Sequence, residues 1–248
     1  MLQNFESIIL IWLGIGFITF ITLLKIPAPY GKFSKTNWGP MIPSKLGWIV
    51  MEIISPLALL YFFLNGNIEK TPTNITFISL WTLHYFNRSV IYPLRQNNPA
   101  QMPLIIAVLA FLFNVMNGYI NGTYFGSIQE YSAEYMSNWN FIVGVCLFII
   151  GAYINIKSDN ILLSLRSKSG EYKIPEGFMF RYVSFPNYLG EILEWMAFAI
   201  MTWSLAGLSF MIWTMANLVP RAIKGHQWYH NKFESYPKNR KAIFPFII

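Results

Sequence analysis

Charge is scarce in this chain. Asp, Glu, Lys and Arg together make up 12% of its 248 residues, against about 25% in ordinary soluble proteins. A water-exposed surface cannot be assembled from so few charges, so the sequence reads as a polytopic membrane protein. Cysteine is almost missing: the single Cys146 excludes an intramolecular disulfide and, within the apolar run 141–154, reads as a small core residue. Three histidines, His84, His226 and His230, are too few and too scattered for a dedicated metal centre, and no metal is expected. No Gly-x-Gly-x-x-Gly follows a strand, and there is no P-loop, no His-Glu-x-x-His and no Gly-x-Ser-x-Gly. Those absences argue against the common soluble nucleotide-binding, zinc-protease and serine-hydrolase designs. Gly14-Ile15-Gly16 sits inside an apolar run and reads as helix packing. Repeats, low-complexity tracts and domain linkers are absent too.

What is present is apolar length: 54% of the residues are hydrophobic and 18% aromatic. Spans are expected at about 7–24, 47–65, 75–94, 102–120, 139–156, 188–203 and 206–221, each near the ~20 residues that cross a hydrocarbon core. The first is too long, and lacks the basic leader, of a cleaved signal peptide. With these spans, seventeen of the eighteen basic residues fall on one side and only Lys70 on the other. The positive-inside rule then predicts an outside N-terminus and a cytoplasmic C-terminus, which requires an odd number of spans and supports seven. The net charge of +7 thus belongs to a membrane topology, and no nucleic acid partner is expected. The expected fold is an all-α integral membrane protein, a seven-transmembrane-helix bundle forming one polytopic domain over 1–248.

Several polar groups stand where lipid would surround them. Glu52 is the only charge in the run 46–68, and a carboxylate at that depth costs at least roughly 2.5–3.5 kcal/mol, which marks it as functional by default. Tyr85, Arg88 and Tyr92 are spaced i, i+3, i+7 and are predicted to share one helical face. Asn155, Asp159 and Arg166 form a second stripe on the helix leaving the fifth span. Asn187, Glu191 and Glu194 form a third at the start of the sixth, although carboxylates in first helical turns also answer the helix dipole. Arg221 and Tyr229 lie two turns apart after the last span, with His226 nearby. Four polar stripes converging on the cytoplasmic half of a bundle suit a large phosphate-bearing ligand. The basic and aromatic tail after Arg221 reads either as one wall of that site or as a membrane-surface helix.

The residues then become recognisable. The close Tyr236-Pro237-Lys238-Asn239-Arg240-Lys241-Ala242-Ile243-Phe244-Pro245-Phe246 resembles that of the steroid 5α-reductase family. So do Asn155-Ile156-Lys157-Ser158-Asp159, Tyr182-Val183-Ser184, Asn187-Tyr188-Leu189-Gly190-Glu191 and Trp195. His84-Tyr85-Phe86-Asn87-Arg88, and Trp48 followed by Glu52, also match in order and in spacing. The resemblance runs from about residue 47 to the end and is strongest in the last hundred residues. It implies a membrane enzyme that uses NADPH to reduce the C4–C5 double bond of a 3-oxo-Δ4-steroid, with the cofactor site on the cytoplasmic side. Residues 1–135 would supply the substrate-pocket helices and 136–248 the cofactor region.

By that resemblance Glu52 and Tyr85 match the pair that binds the 3-keto oxygen, with Trp48 and Met51 beside the substrate. Arg88, Tyr92, Asn155, Asp159, Arg166, Asn187, Glu191, Arg221 and Tyr229 match cofactor positions, and His226 is taken with them. Hydride addition to an enone pushes negative charge onto the carbonyl oxygen, and donors fixed there in a dry site stabilise the transition state. Burial disfavours a charged carboxylate, so a neutral Glu52 is expected to donate alongside Tyr85. The same pairing of a tyrosine with a neutral acid serves ketosteroid isomerase. Two departures stand out: Met51 replaces the Gln usual before the Glu, and Gly225 replaces part of a His-rich stretch.

Competing expectations are a trans-2-enoyl-CoA reductase, a methyltransferase of the isoprenylcysteine type, and a non-enzymatic sterol or lipid carrier that kept the fold. The expected partners are a steroid or other lipophilic enone and the bilayer, with the chain a monomer. Its membrane would be the endoplasmic reticulum in a eukaryote or the inner membrane in a bacterium.

Overall fold

The computed structural model describes residues 2–96, 100–165 and 172–248. They gather into two compact units, Met1–Ile9 with Ala28–Ile142, and Leu10–Pro27 with Val143–Ile248. The chain is mostly helical: α1 (Leu2–Lys25), α2 (Ser44–Leu64), α3 (Pro72–Phe86), the single turn α4 (Tyr92–Leu94), α5 (Leu104–Thr123), α6 (Trp139–Leu165), α7 (Pro186–Thr202) and α8 (Leu205–Lys232). A π-helical turn, Asn87–Ile91, joins α3 to α4, and another, Tyr124–Ile128, extends α5. All seven expected spans fall largely on helix. Among the described residues, four helices are long and apolar enough to cross a membrane: Gln3–Lys25, Ser44–Leu64, Leu104–Ile128 and Trp139–Leu165.

In the first unit a short antiparallel ribbon sets the start of two helices. β1 (Met41–Pro43) pairs with β2 (Gln101–Pro103) in the register Ile42↔Met102. Each strand runs straight into a helix, α2 or α5, and the ribbon's ends are closed by Ser44 N–H on the Ala100 carbonyl (2.9 Å) and Leu104 N–H on the Pro40 carbonyl (2.8 Å). The two helices then approach closely because α5 presents Gly118 and Gly122, spaced one turn apart, to the backbone of α2. A Cβ at Gly122 would lie 2.6 Å from the Leu59 carbonyl oxygen, so only glycine permits this separation. Small residues at such spacing are the usual means of close helix packing in membranes. α3 starts on Thr71, whose hydroxyl accepts from the Asn74 N–H (3.3 Å), with Pro72 in the first turn.

The second unit repeats the device. Gly151 on α6 and Gly190 on α7 face each other: a Cβ on Gly151 would stand 2.7 Å from the Gly190 carbonyl oxygen, and one on Gly190 would stand 2.5 Å from the Asn155 nitrogen. α7 ends on Trp203 in the left-handed region (φ 46°), and α8 is capped by the Ser204 hydroxyl, which accepts from Gly207 N–H (2.9 Å). The indole N–H of Trp213 on α8 donates to the Trp12 carbonyl of α1 (3.1 Å). The basic and aromatic tail is a direct continuation of α8 as far as Lys232. Beyond it the chain turns back, and residues 241–242 lie beside residues 182–185. Lys241 N–H donates to the Tyr182 carbonyl (2.9 Å), and Ser184 and Phe185 N–H donate to the carbonyls of Lys241 (2.8 Å) and Ala242 (3.1 Å).

Candidate active site

In the first unit the site begins with a flaw in α2. Pro56 lies four residues after Glu52 inside the helix. Having no N–H, Pro56 cannot make the backbone bond that this position of a regular helix gives to residue 52, and its ring crowds the carbonyl there. Glu52 itself is half-buried, one turn beyond Trp48.

Tyr85, 5% exposed, is held on every side. Its ring stacks on Trp81 (centroids 5.7 Å apart, 25° between planes) and meets the edge of His84 (5.2 Å). Trp81 is in turn anchored to α2, its indole N–H donating to the Ser55 hydroxyl (3.1 Å). The Tyr85 hydroxyl donates to Asn114 Oδ1 on α5 (3.3 Å), and Asn114 Nδ2 donates to the Met51 carbonyl on α2 (2.6 Å). One buried carboxamide thus joins the phenol to the peptide unit that precedes Glu52.

Arg88, 8% exposed, follows in the π-helical turn. Its guanidinium lies over the rings of Trp48 (5.3 Å) and Tyr92 (5.0 Å), and Tyr30 packs edge-on against Trp48 (6.0 Å). Regular α-helical spacing was the expectation for Tyr85, Arg88 and Tyr92. The π turn inserts one residue's arc between the first and the last, and π turns recur at functional sites. Arg88 and Tyr92 still meet, across the widened turn.

In the second unit, two stripes read separately from the sequence become one chain of hydrogen bonds. Asn155 Nδ2 on α6 donates to the Asn187 carbonyl at the start of α7 (3.0 Å), and Asn187 Nδ2 donates back to Asp159 Oδ1 (3.0 Å). All three are buried. Asn187 Oδ1 and the Ser158 hydroxyl are buried too and find no hydrogen-bond partner among the described residues. The close approach at Gly151 and Gly190 is what brings these amides within reach. Glu191, half-buried, follows on α7, while Arg166 lies outside the described residues.

Arg221 follows Pro220 inside α8, and its Nε donates to the Tyr188 hydroxyl (3.1 Å). Tyr188 stacks on Phe185 (5.2 Å, 13°). Tyr229 is buried and stacks on Tyr236 (5.1 Å, 11°). His226 Nδ1 lies 2.6 Å from the Ser184 hydroxyl, which also accepts from the Tyr236 hydroxyl (2.7 Å). Burial, followed by the neighbouring His230, Arg240 and Lys241, pulls the His226 pKa down to about 4. The imidazole is therefore neutral at ordinary pH.

Asn114 escaped the sequence reading, and Ser184 and Tyr236 were read there as parts of motifs without a contact or role of their own. Asn114 carried a usable signal: with Asn117 and Asn121 it lies at i, i+3, i+7 in an otherwise apolar run, the same pattern that singled out Tyr85. Ser184 and Tyr236 have no such local mark, because their partners are 42 and 52 residues away.

Comparison with known proteins decides the family. Residues 100–248 match the family described as 3-oxo-5-alpha-steroid 4-dehydrogenase. Along nearly the whole length, the chain is 43% identical to the Steroid 5-alpha-reductase DET2 of Solanum lycopersicum, covering 98% of this chain and 96% of that protein. It is 37% identical to the 3-oxo-5-alpha-steroid 4-dehydrogenase 1 of Rattus norvegicus (94% and 91% covered) and 34% identical to that of Homo sapiens (94% and 92%). The chain belongs to the steroid 5α-reductase family. It is an oxidoreductase of the type that acts on CH–CH groups, and its apolar helices accord with a membrane enzyme.

Proposed function

We propose that this enzyme reduces the C4–C5 double bond of a 3-oxo-Δ4-steroid with NADPH. The observation that supports it best is the buried Tyr85 hydroxyl, tied through Asn114 to the peptide unit before Glu52. A phenol and a neutral carboxylic acid side by side suit a ketone oxygen on which charge develops. NADPH, when bound, supplies the hydride that adds at the steroid's β carbon. Tyr85 and Glu52 would then meet the resulting enolate oxygen with hydrogen bonds that strengthen as its charge grows, and a proton taken up from water at the α carbon would complete the saturated ketone. Trp48 and Met51 would border the steroid.

The residues of the second unit fit such a cofactor. Asn187 Oδ1, buried and without a partner among the described residues, asks for a donor such as a ribose hydroxyl or a carboxamide N–H. Asn155, Asp159, Asn187, Glu191, His226 and Tyr229 would hold it. Arg88, Arg166 and Arg221 would meet its phosphates, since guanidinium pairs bidentately with them. In this reading seven helices span the bilayer, with the cofactor side cytoplasmic and the N-terminus outside or lumenal. The helices of 1–135 serve the substrate and 136–248 the cofactor. The chain acts as a monomer in the endoplasmic reticulum or bacterial inner membrane.

The test is direct. Purified protein in detergent, given NADPH and progesterone or testosterone, is expected to consume NADPH and yield the 5α-reduced steroid. Turnover of a trans-2-enoyl-CoA with none of the steroids would overturn the proposal.

A further inference from the structure

Asn114 on α5 is uncharged, yet it is 4% exposed and touches the two elements on which the proposed acids stand. Its orientation is dictated by its neighbours. The Met51 carbonyl can only accept, so the amide NH2 must face it, at 2.6 Å. That leaves Oδ1, which can only accept, toward Tyr85. Tyr85 must therefore donate its single proton to Asn114 in the resting enzyme, across a rather long 3.3 Å. Flipping the amide would set Oδ1 against the Met51 carbonyl, two acceptors face to face.

A phenolic O–H prefers its ring plane and so has two opposite orientations. We infer that Asn114 is a positioning residue for Tyr85: it anchors the phenol oxygen and holds the proton in one of those orientations until a ketone claims it. The inference rests on reading Tyr85 as the acid that meets the steroid ketone. An amide oxygen is a better acceptor than a neutral ketone, but at 3.3 Å the resting bond is long and is given up at modest cost on substrate binding. As the enolate forms, its oxygen becomes the better acceptor and draws the proton across. The Met51 contact keeps the amide from following, so the phenol turns while its oxygen stays in place.

A double-mutant cycle tests this with the full-length protein in detergent, NADPH and progesterone. Asn114→Leu keeps the volume but removes both hydrogen bonds. It is expected to lower kcat about tenfold, a part of the ~100-fold that a misplacement of 1 Å can cost, with KM for steroid nearly unchanged. In a Tyr85→Phe background the same substitution is expected to change nothing further, because there is no hydroxyl left to position. Losses that add in the double variant, or a loss confined to KM, would overturn the inference. Should Asn114→Leu fail to fold, giving no cooperative thermal melt in detergent, Asn114→Ser is read in the same cycle against the same outcomes. A Tyr85→Phe variant with full activity would instead overturn the reading of Tyr85 itself, so the two failures are distinguishable.

Discussion

Ser184 and His226 meet at 2.6 Å, hydroxyl to Nδ1, and Tyr236 donates to the same hydroxyl. These contacts fasten the segment before α7 and the C-terminal segment to α8. Burial, followed by His230, Arg240 and Lys241 nearby, keeps the imidazole neutral. In the unfolded chain His226 titrates near its ordinary 6.5, whereas in the folded protein it titrates at about 4. Above pH 6.5 both states hold it neutral and it contributes no pH dependence. Between pH 6.5 and 4 the unfolded chain takes up a proton that the folded protein refuses, so stability falls as pH falls; below about 4 the loss is complete. Thermal melts in detergent over this window are expected to show a shallower pH slope for His226→Gln than for the wild type. Equal slopes would show that His226 is not the group responsible.

The approach of α6 to α7 predicts a sharp contrast between two glycines. A methyl group at Gly151 would stand 2.7 Å from backbone atoms of both Gly190 and Glu194, whereas one at Gly14 meets nothing within 4 Å. Gly151→Ala is expected to cost about 1–3 kcal/mol, the usual range for overpacking. Gly14→Ala is expected to leave the melting temperature unchanged. Gly151→Ala should also weaken NADPH binding, because Asn155 and Asn187 meet across that contact. A variant as stable as the wild type would mean that the helices separate freely.

How much of this was legible beforehand depended on how local the signal was. Glu52 stood out because one carboxylate in an apolar run is costly wherever the run is placed. The helices were legible too, since each rests on its own apolar length; among the described residues, four helices meet the length and apolarity needed to cross a membrane. The Asn155 and Asn187 stripes were each visible, but their union was not: a bond across 32 residues leaves no trace in spacing. The π turn between Tyr85 and Tyr92 was equally silent. It inserts no residue type that an α-helix would refuse, and packing against α2 accompanies it. Asn114 was overlooked for a different reason, as one asparagine among many in this chain.

Arg88 is the residue for which a conservative change should be least tolerated. Its planar guanidinium lies over both the Trp48 and the Tyr92 rings, contacts that an ammonium does not reproduce. Arg88→Lys is expected to raise the dissociation constant for NADPH about tenfold, comparable to a desolvated cation–π contact. Binding titrated by cofactor fluorescence checks this, and an unchanged constant would remove Arg88 from the cofactor site.

The central claim is that Glu52 and Tyr85 act on the substrate's oxygen and not on the cofactor. Its most direct measurement compares kcat for steroid reduction with NADPH affinity in Glu52→Gln and Tyr85→Phe. Removing one such donor is expected to lower kcat roughly 100–1,000-fold while NADPH affinity stays within about twofold. Parallel losses in kcat and in NADPH affinity would contradict the account.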